Sequence, residues 1–109
     1  MTQQQIEVLA RFDGWEKYTS EKYGERYKHQ KSKHPERMGS RDVKQMAKHL
    51  TSPGVLIEMR LKVLKQLEKM EGMYGEEVKF NEEVTNLILN KEYTAAAINI
   101  SEIIQKLEA

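Results

Sequence analysis

The three histidines, His29, His34 and His49, are the residues of this chain best suited to bind a metal ion. Two imidazoles on one helix ligate a single metal when they stand four residues apart, as in the HExxH motif. His29 and His34 stand five apart, and the proline at position 35 disfavours helix at His34. The chain has no cysteine that could supply a thiolate. We therefore predict no metal site and no cofactor, and we interpret the histidines as solvated side chains.

The paired carboxylates at Glu76–Glu77 and Glu82–Glu83 are the candidates for acid–base chemistry. Adjacent residues on a helix do not face each other, so each pair indicates ordinary helix-start or loop charge. The chain also has no GxSxG nucleophile motif, no glycine-rich phosphate loop and no dinucleotide fingerprint. We predict that the protein is not an enzyme.

The segment 21–49 is the most basic part of the chain. It holds nine Lys and Arg against four Asp and Glu, a net charge of +5, whereas 66–95 holds three Lys against seven Glu, a net charge of −4. Basic side chains that alternate with tyrosines fit nucleic acid, although the four interleaved acids would repel phosphate. A charged and aromatic surface also suits electrostatic docking on a larger protein.

We assign the candidate contact residues to this basic segment. Tyr23, Arg26 and Tyr27 belong to the residue types that are enriched in binding hot spots. The side chains that would extend the electrostatic reach are Lys28, Lys31, Lys33, Arg37 and Arg41. Because residues 28–37 contain no hydrophobic side chain, we predict an exposed basic loop over 28–39.

The elements that position these residues begin with a short helix. Thr2 and Gln5 have the spacing of a capping box, and Gly14 ends the helix, because glycine tolerates backbone angles that other residues resist. The aromatic residues of 15–30 fit neither strict strand alternation nor a helical stripe. For that segment we favour a helix, with a short hairpin as the alternative.

Two further helices are predicted in the middle of the chain. Ser40 is a suitable N-cap, and apolar residues recur at helical spacing over the next ten positions. Pro53 fits the first position of a longer helix over 53–71, whose broad apolar face indicates central packing. Gly72 and Gly75 would end that helix.

The C-terminal part predicts an antiparallel helical hairpin over 81–107 that starts at an Asn81 cap. The chain is therefore expected to form a single domain, 1–109, of the mainly α class, a compact small helical bundle with a C-terminal helical hairpin. The alternative is an α+β fold with a short sheet formed by parts of 15–30 and 76–80.

Nothing in the sequence points to a membrane. No run approaches eighteen apolar residues, and the first residues lack the basic start and apolar core of a signal peptide. The lack of cysteine fits a reducing compartment. We expect a cytoplasmic protein without membrane contact.

Three stretches, "IEVLARFDGW", "HLTSPGVLIEMRLKVLKQLE" and "YTAAAINISEIIQKLE", resemble short chains encoded by phages and prophages. The resemblance implies an N-terminal helix with a Gly-Trp break, a polar aromatic middle that commonly forms strands, and two helices. It also implies stoichiometric action on host machinery, including defence systems such as CRISPR effectors, in the cytoplasm of a bacterial host.

These observations together predict a non-enzymatic small binding protein that inhibits or modulates a larger protein or ribonucleoprotein complex. The first alternative is direct nucleic-acid binding through the basic segment 22–48. The second alternative is a self-associating structural protein, in which the basic and acidic ends of different copies pair head to tail.

Overall fold

A computed structural model describes residues 1–30 and 40–108. Within these residues five helices surround a single core and carry one two-stranded sheet. In chain order the elements are α1 (Gln3–Phe12), β1 (Trp15–Ser20), β2 (Gly24–His29), α2 (Val43–Leu50), α3 (Pro53–Glu68), α4 (Tyr74–Leu89) and α5 (Tyr93–Glu108). The prediction of a mainly α fold with a C-terminal helical hairpin is confirmed.

Helix α1 begins at the predicted capping box. The Gln5 backbone N–H donates to Thr2 Oγ1 at 3.1 Å, and the Thr2 N–H donates to Gln5 Oε1 at 2.8 Å. The helix ends at Phe12, just before the predicted break at Gly14, whose φ of 90° lies in the left-handed region. The chain therefore leaves α1 at a fixed turn and enters β1 directly.

Residues 15–29 form an antiparallel β-hairpin, so the favoured helix was wrong and the alternative hairpin was right. Trp15 pairs with His29, and Lys17 pairs with Tyr27. Gly24, with a φ of 75°, closes the turn. Trp15 and Tyr27 are buried, at 6% and 1% exposure. Because these two rings lie on the same side of the sheet, packing against the helices selects the strand period over the helical one.

Helix α2 starts two residues later than predicted. Its N-cap is Asp42 rather than Ser40, because the Asp42 carboxylate accepts from the Gln45 N–H at 2.8 Å and Gln45 caps it in return. Ser40 instead lies beside β2. Arg41 pairs with Tyr27 through two backbone hydrogen bonds of 2.8 and 3.0 Å, which hold this stretch against the hairpin.

The remaining helices differ from the prediction at two boundaries, the end of α3 and the start of α4. Helix α3 ends at Glu68, and α4 already begins at Tyr74, so Gly75 lies inside a helix and 76–80 is helical rather than a strand. Acidic side chains in the first turn of α4 favour this earlier start, because they face the positive end of the helix dipole. The α+β alternative, with a sheet formed by parts of 15–30 and 76–80, is therefore correct only for the hairpin.

Helix α3 lies at the centre of the core, as its broad apolar face predicted. Four of its side chains are at most 1% exposed, and α4 and α5 pack against it as an antiparallel pair. These four side chains are Leu56, Met59, Val63 and Leu67. No helix within residues 1–30 and 40–108 is both long and apolar enough to cross a membrane.

Candidate functional site

The β-hairpin sorts its charged residues onto two faces. Successive side chains of a strand point to opposite sides, so Lys17, Glu25 and Tyr27 face α1 while their neighbours face outwards. On the inner side Lys17 Nζ lies 2.7 Å from Glu7 and 3.5 Å from Glu25. Glu25 interrupts the basic segment in sequence, but it pairs with Lys17 on the inner side and so does not lie on the outer face.

The outer surface of the hairpin gathers three cations and two tyrosines. We call Tyr18, Lys22, Tyr23, Arg26 and Lys28 the cation–tyrosine face. Lys22 Nζ lies 5.3 Å and Arg26 Cζ 5.5 Å from the centre of the Tyr23 ring, and Lys28 Nζ lies 5.7 Å from the centre of the Tyr18 ring. Each cation is thus held over an aromatic ring by the ring quadrupole.

None of these three cations forms an ion pair with a carboxylate in the described part of the chain. Tyr23 is 61% exposed at the tip of the hairpin, so its ring is available to a partner. Glu16 on β1 is also directed outwards, opposite Lys28 in the strand register. The face therefore carries an excess of positive charge.

Ser40 fixes the orientation of Arg26. Arg26 Nε donates to Ser40 Oγ at 2.6 Å, and Arg26 Nη2 donates to the Ser40 carbonyl at 3.2 Å. Ser40 Oγ also lies 2.9 Å from the Tyr18 hydroxyl oxygen, within hydrogen-bond distance. These bonds leave Nη1 of the guanidinium directed away from Ser40. A guanidinium held in this way is prepared to bind a carboxylate or a phosphate oxygen.

A shallow depression of about 240 Å³ lies at this point of the face. Tyr18 and Tyr23 form two of its walls, Arg26 and Ser40 form the others, and Ser20 lies at the turn. The depression is large enough for a side-chain carboxylate or a single phosphate group, and too small for a drug-sized ligand. Its chemistry is that of anion recognition.

Asp13 anchors the hairpin from the inner side. Its Oδ2 accepts from Trp15 Nε1 at 3.1 Å and hydrogen-bonds to His49 Nε2 at the same distance. The edges of His29 and His49 meet the Trp15 ring at centroid distances of 5.2 and 5.4 Å. Two of the histidines considered for metal binding are therefore packed around Trp15 and are only partly exposed, so the interpretation of solvated histidines was wrong for them.

The metal chemistry considered for the histidines has no support in the described residues. Among them, no group of three or more His, Asp or Glu side chains is arranged to hold a metal ion. His34 lies outside the described residues. The arrangement around Trp15 thus acts as packing and hydrogen bonding between α1, the hairpin and α2.

Two ionisable side chains on the inner face have shifted pKa values. The hydrogen bond from Lys17 to Glu7 raises the pKa of Lys17 above its usual 10.5. Burial raises the pKa of Tyr27 above its usual 10.0. Both shifts stabilise the form that is present at neutral pH, the ammonium and the neutral phenol.

The structure divides the predicted contact residues into three groups. Tyr23, Arg26 and Lys28 come together on the cation–tyrosine face. Tyr27 is buried, and the Arg41 guanidinium lies 5.4 Å from the centre of the Trp15 ring on the inner side, so these two residues support the hairpin. Lys31, Lys33, Arg37 and most of the predicted loop over 28–39 lie outside the described residues.

The contact prediction omitted Tyr18 and Ser40. The signal for Tyr18 is a spacing of two residues, which places Tyr18 and Ser20 on the same side of β1 and Arg26 with Lys28 on the same side of β2. This signal is visible only when the segment is interpreted as a hairpin. No local signal marks Ser40, because its contacts with Arg26 and Tyr18 join residues far apart in sequence.

Comparisons of the chain with protein-family models, curated proteins and solved structures found no match. The function of the face is therefore argued from its own chemistry.

Proposed function

We propose that the protein is a non-enzymatic binding protein that docks through the cation–tyrosine face on an anionic surface of a larger partner and inhibits or modulates that partner. The observation that carries the proposal is the presence of three cations on one face of the hairpin, none paired with a carboxylate of the described chain. Unpaired cations beside an exposed tyrosine are typical of electrostatic docking surfaces.

The class of partner follows from the phage resemblance together with this chemistry. A nucleic-acid-handling or defence complex of a bacterial host, such as a CRISPR effector, presents acidic catalytic surfaces and bound phosphates. The proposed site of action is the host cytoplasm. A basic face that docks on such a surface would block it, because the cations of the face would occupy the place of the ligands that the surface normally binds.

An acidic protein surface suits the geometry better than a nucleobase. A base that stacks on the covered side of the Tyr23 ring must displace Lys22 or Arg26, which lie 5.3 and 5.5 Å from the ring centre. A carboxylate binds these cations where they stand, and Ser40 already holds Arg26 in a donating orientation. The protein partner therefore avoids the cost of rearranging the face.

The test is affinity capture from a bacterial lysate followed by mass spectrometry, with and without nuclease. Wild-type protein is compared with a triple charge reversal, Lys22→Glu, Arg26→Glu and Lys28→Glu. The matched control reverses three exposed lysines elsewhere, Lys69→Glu, Lys79→Glu and Lys106→Glu, and so changes the net charge equally. We expect a nuclease-resistant partner that the control retains and the triple reversal loses. Equal capture by both variants would refute the docking face.

Direct binding of single-stranded nucleic acid is the second candidate, favoured by the 61% exposure of Tyr23 beside two cations. Fluorescence anisotropy with a labelled oligothymidylate measures it across a salt series. Three phosphate contacts predict a log–log salt slope of about −2, from roughly −0.7 per contact on single strands. Absence of binding at the lowest salt would eliminate this candidate, and binding that the triple reversal abolishes would support it.

A further inference from the structure

Helix α3 carries a second apolar stripe besides its buried one. The buried stripe, Leu56, Met59, Val63 and Leu67, lies in the core. The second stripe consists of Ile57, Leu61 and Leu64 on the flank of the helix, and we call it the outer seam. Ile57 is 41% and Leu61 46% exposed, whereas Leu64 is partly buried against the core. Ile57 and Leu61 stand one helical turn apart, so their exposed aliphatic surfaces lie side by side along the helix.

Helix α4 packs beside α3 and also carries exposed apolar side chains. Arg60 Nη1 donates to Asn81 Oδ1 at 2.6 Å and lies 3.4 Å from Thr85 Oγ1, which sets the antiparallel register of the two helices. On its exposed side α4 presents Tyr74 and Val78, at 78% and 39% exposure. Both helices of this pair therefore carry exposed apolar side chains.

The residues of the seam have the spacing of a coiled-coil heptad. Ile57, Leu61 and Leu64 stand four and three residues apart, which are the d, a and d positions. The e positions that follow the two d residues are Glu58 and Lys65, two exposed side chains of opposite charge. The g positions are turned towards α4 and the core, as the bonds of Arg60 show. The side open to another helix is thus the e side.

Antiparallel pairing of two such helices brings e positions against e positions. A two-fold axis beside Leu61 places Leu61 against Leu61 of the partner copy, and it places Glu58 next to Lys65 of the partner copy on both sides of the axis. A parallel pair would instead place e against g, and the g side is covered by α4. The charge pattern therefore selects the antiparallel arrangement of two identical helices.

We propose that two copies of this chain form a two-fold symmetric dimer through the outer seam of α3, with Glu58 of each copy paired with Lys65 of the other. This contact is isologous and closes on itself, in contrast to the head-to-tail pairing of basic and acidic ends, which would propagate. The proposal is independent of the docking function. It leaves the cation–tyrosine face of each copy open, so the dimer presents two docking faces and gains avidity for a repetitive partner.

Sedimentation velocity over a wide concentration range tests the proposal. We expect the wild-type protein to approach the mass of a dimer as concentration rises. Leu61→Lys places two like charges at the axis, and we expect it to remain a monomer with an unchanged helical circular dichroism spectrum, because the replaced side chain is already 46% exposed. The control Tyr23→Lys introduces the same charge at an exposed aromatic position of the hairpin and should leave dimerisation unchanged.

A charge-swap cycle tests the orientation of the helices. Glu58→Lys alone and Lys65→Glu alone each replace two attractive contacts by two repulsive ones, and we expect each to raise the dimer dissociation constant about tenfold or more. The double swap, Glu58→Lys with Lys65→Glu, recreates the pairs and should return the constant to within about threefold of wild type. Both side chains are exposed, so the swaps do not disturb the core.

The outcomes that overturn the proposal are distinct. A wild-type chain that stays monomeric up to about millimolar concentration, where even weak specific contacts form, excludes the dimer. If Leu61→Lys leaves the dimer intact, the dimer interface lies on another surface of the protein. Single swaps that the double swap fails to rescue exclude the antiparallel seam. Open-ended assemblies that the triple reversal Lys22→Glu, Arg26→Glu and Lys28→Glu dissolves indicate head-to-tail association instead.

Discussion

Ser40 illustrates how a single side chain prepares the candidate site. Its hydroxyl accepts from Arg26 Nε at 2.6 Å and also lies within hydrogen-bond distance of the Tyr18 hydroxyl. It therefore joins β1 and β2 to the chain that enters α2. Ser40 is a positioning residue, because it acts on a partner through the guanidinium that it orients.

We expect Ser40→Ala to weaken partner binding about two- to tenfold, which is the net value of one lost hydrogen bond. The guanidinium keeps its charge but loses its fixed orientation. Titration of the captured partner measures the effect, and Ser40→Thr, which retains the hydroxyl, should restore most of the affinity. Equal binding by the alanine variant would show that Arg26 needs no positioning.

Tyr27 is buried and carries a polar atom without a hydrogen-bond partner among the described residues. Its ring is 1% exposed, and its hydroxyl oxygen finds no hydrogen-bond partner among the described residues. We expect Tyr27→Phe to stabilise the protein by about 1 kcal/mol, because the change removes a buried unsatisfied group and keeps the ring. Urea denaturation measures the free energy of unfolding. A loss of stability would mean that the hydroxyl has a bonding role.

The raised pKa of Tyr27 also predicts a pH dependence. Because burial raises the folded-state pKa above 10.0, the folded state holds the proton more tightly than the unfolded state. The stability that the folded protein gains from this tighter proton binding is complete below about pH 10. It decreases as the pH rises through the folded-state pKa of Tyr27. At alkaline pH the free energy of unfolding, measured by urea denaturation, should fall less steeply with pH in Tyr27→Phe than in wild type. Tyr74→Phe, at a 78% exposed position, is the control and should behave like wild type.

The hairpin is the element that positions the side chains of the candidate site. It is also the element that the sequence did not favour, since a helix was predicted there. Capping and periodicity are local signals, and they predicted α1, the centre of α3 and the α4–α5 pair. The strands of 15–29 are selected by burial of Trp15 and Tyr27 against helices distant in sequence, which no local window contains. Two good N-cap residues, Ser40 and Asp42, compete for α2, and tertiary contacts assign Ser40 to the hairpin.

The same limit applied to the candidate site. Composition predicted Tyr23, Arg26 and Lys28 as contact residues, because charge and residue type are visible in the sequence, and the structure brings these three onto one face. Which of two neighbouring side chains faces outwards depends on the secondary structure, and strand alternation turns Tyr27 inwards. It also turns Glu25 away from the outer face, so the acids that weakened the nucleic-acid interpretation interrupt that face less than the sequence suggested.

At the joint between α1 and β1, Gly14 is required for its backbone angle and for space. Its φ is 90°, and a Cβ at this position would meet His29 Nε2 at 3.0 Å. We expect Gly14→Ala to destabilise the protein by about 1–3 kcal/mol. Gly54→Ala, in the first turn of α3 with nothing within 4 Å, is the matched control and should be neutral or mildly stabilising. Thermal unfolding measures both, and equal effects would contradict the role of Gly14.

The whole molecule separates opposite charges although its net charge is only +1. Its extents are 47 × 29 × 22 Å, so it is elongated and offers distinct surfaces to different partners. The cation–tyrosine face lies on the hairpin, and the outer seam lies on α3 beside α4. Docking and dimerisation would therefore use separate surfaces, and each can be removed without the other.

Site-specific photocrosslinking tests the docking claim most directly. The chain has two well-exposed tyrosines on different surfaces, Tyr23 at 61% and Tyr74 at 78% exposure. Each is replaced in turn by p-benzoylphenylalanine, which keeps an aromatic ring and adds a photoreactive ketone. We expect position 23 to crosslink to the captured partner, and we expect the triple reversal of Lys22, Arg26 and Lys28 to abolish this crosslink. Position 74 should give no crosslink with that partner. A partner that crosslinks at position 74 and not at position 23 would contradict the docking claim.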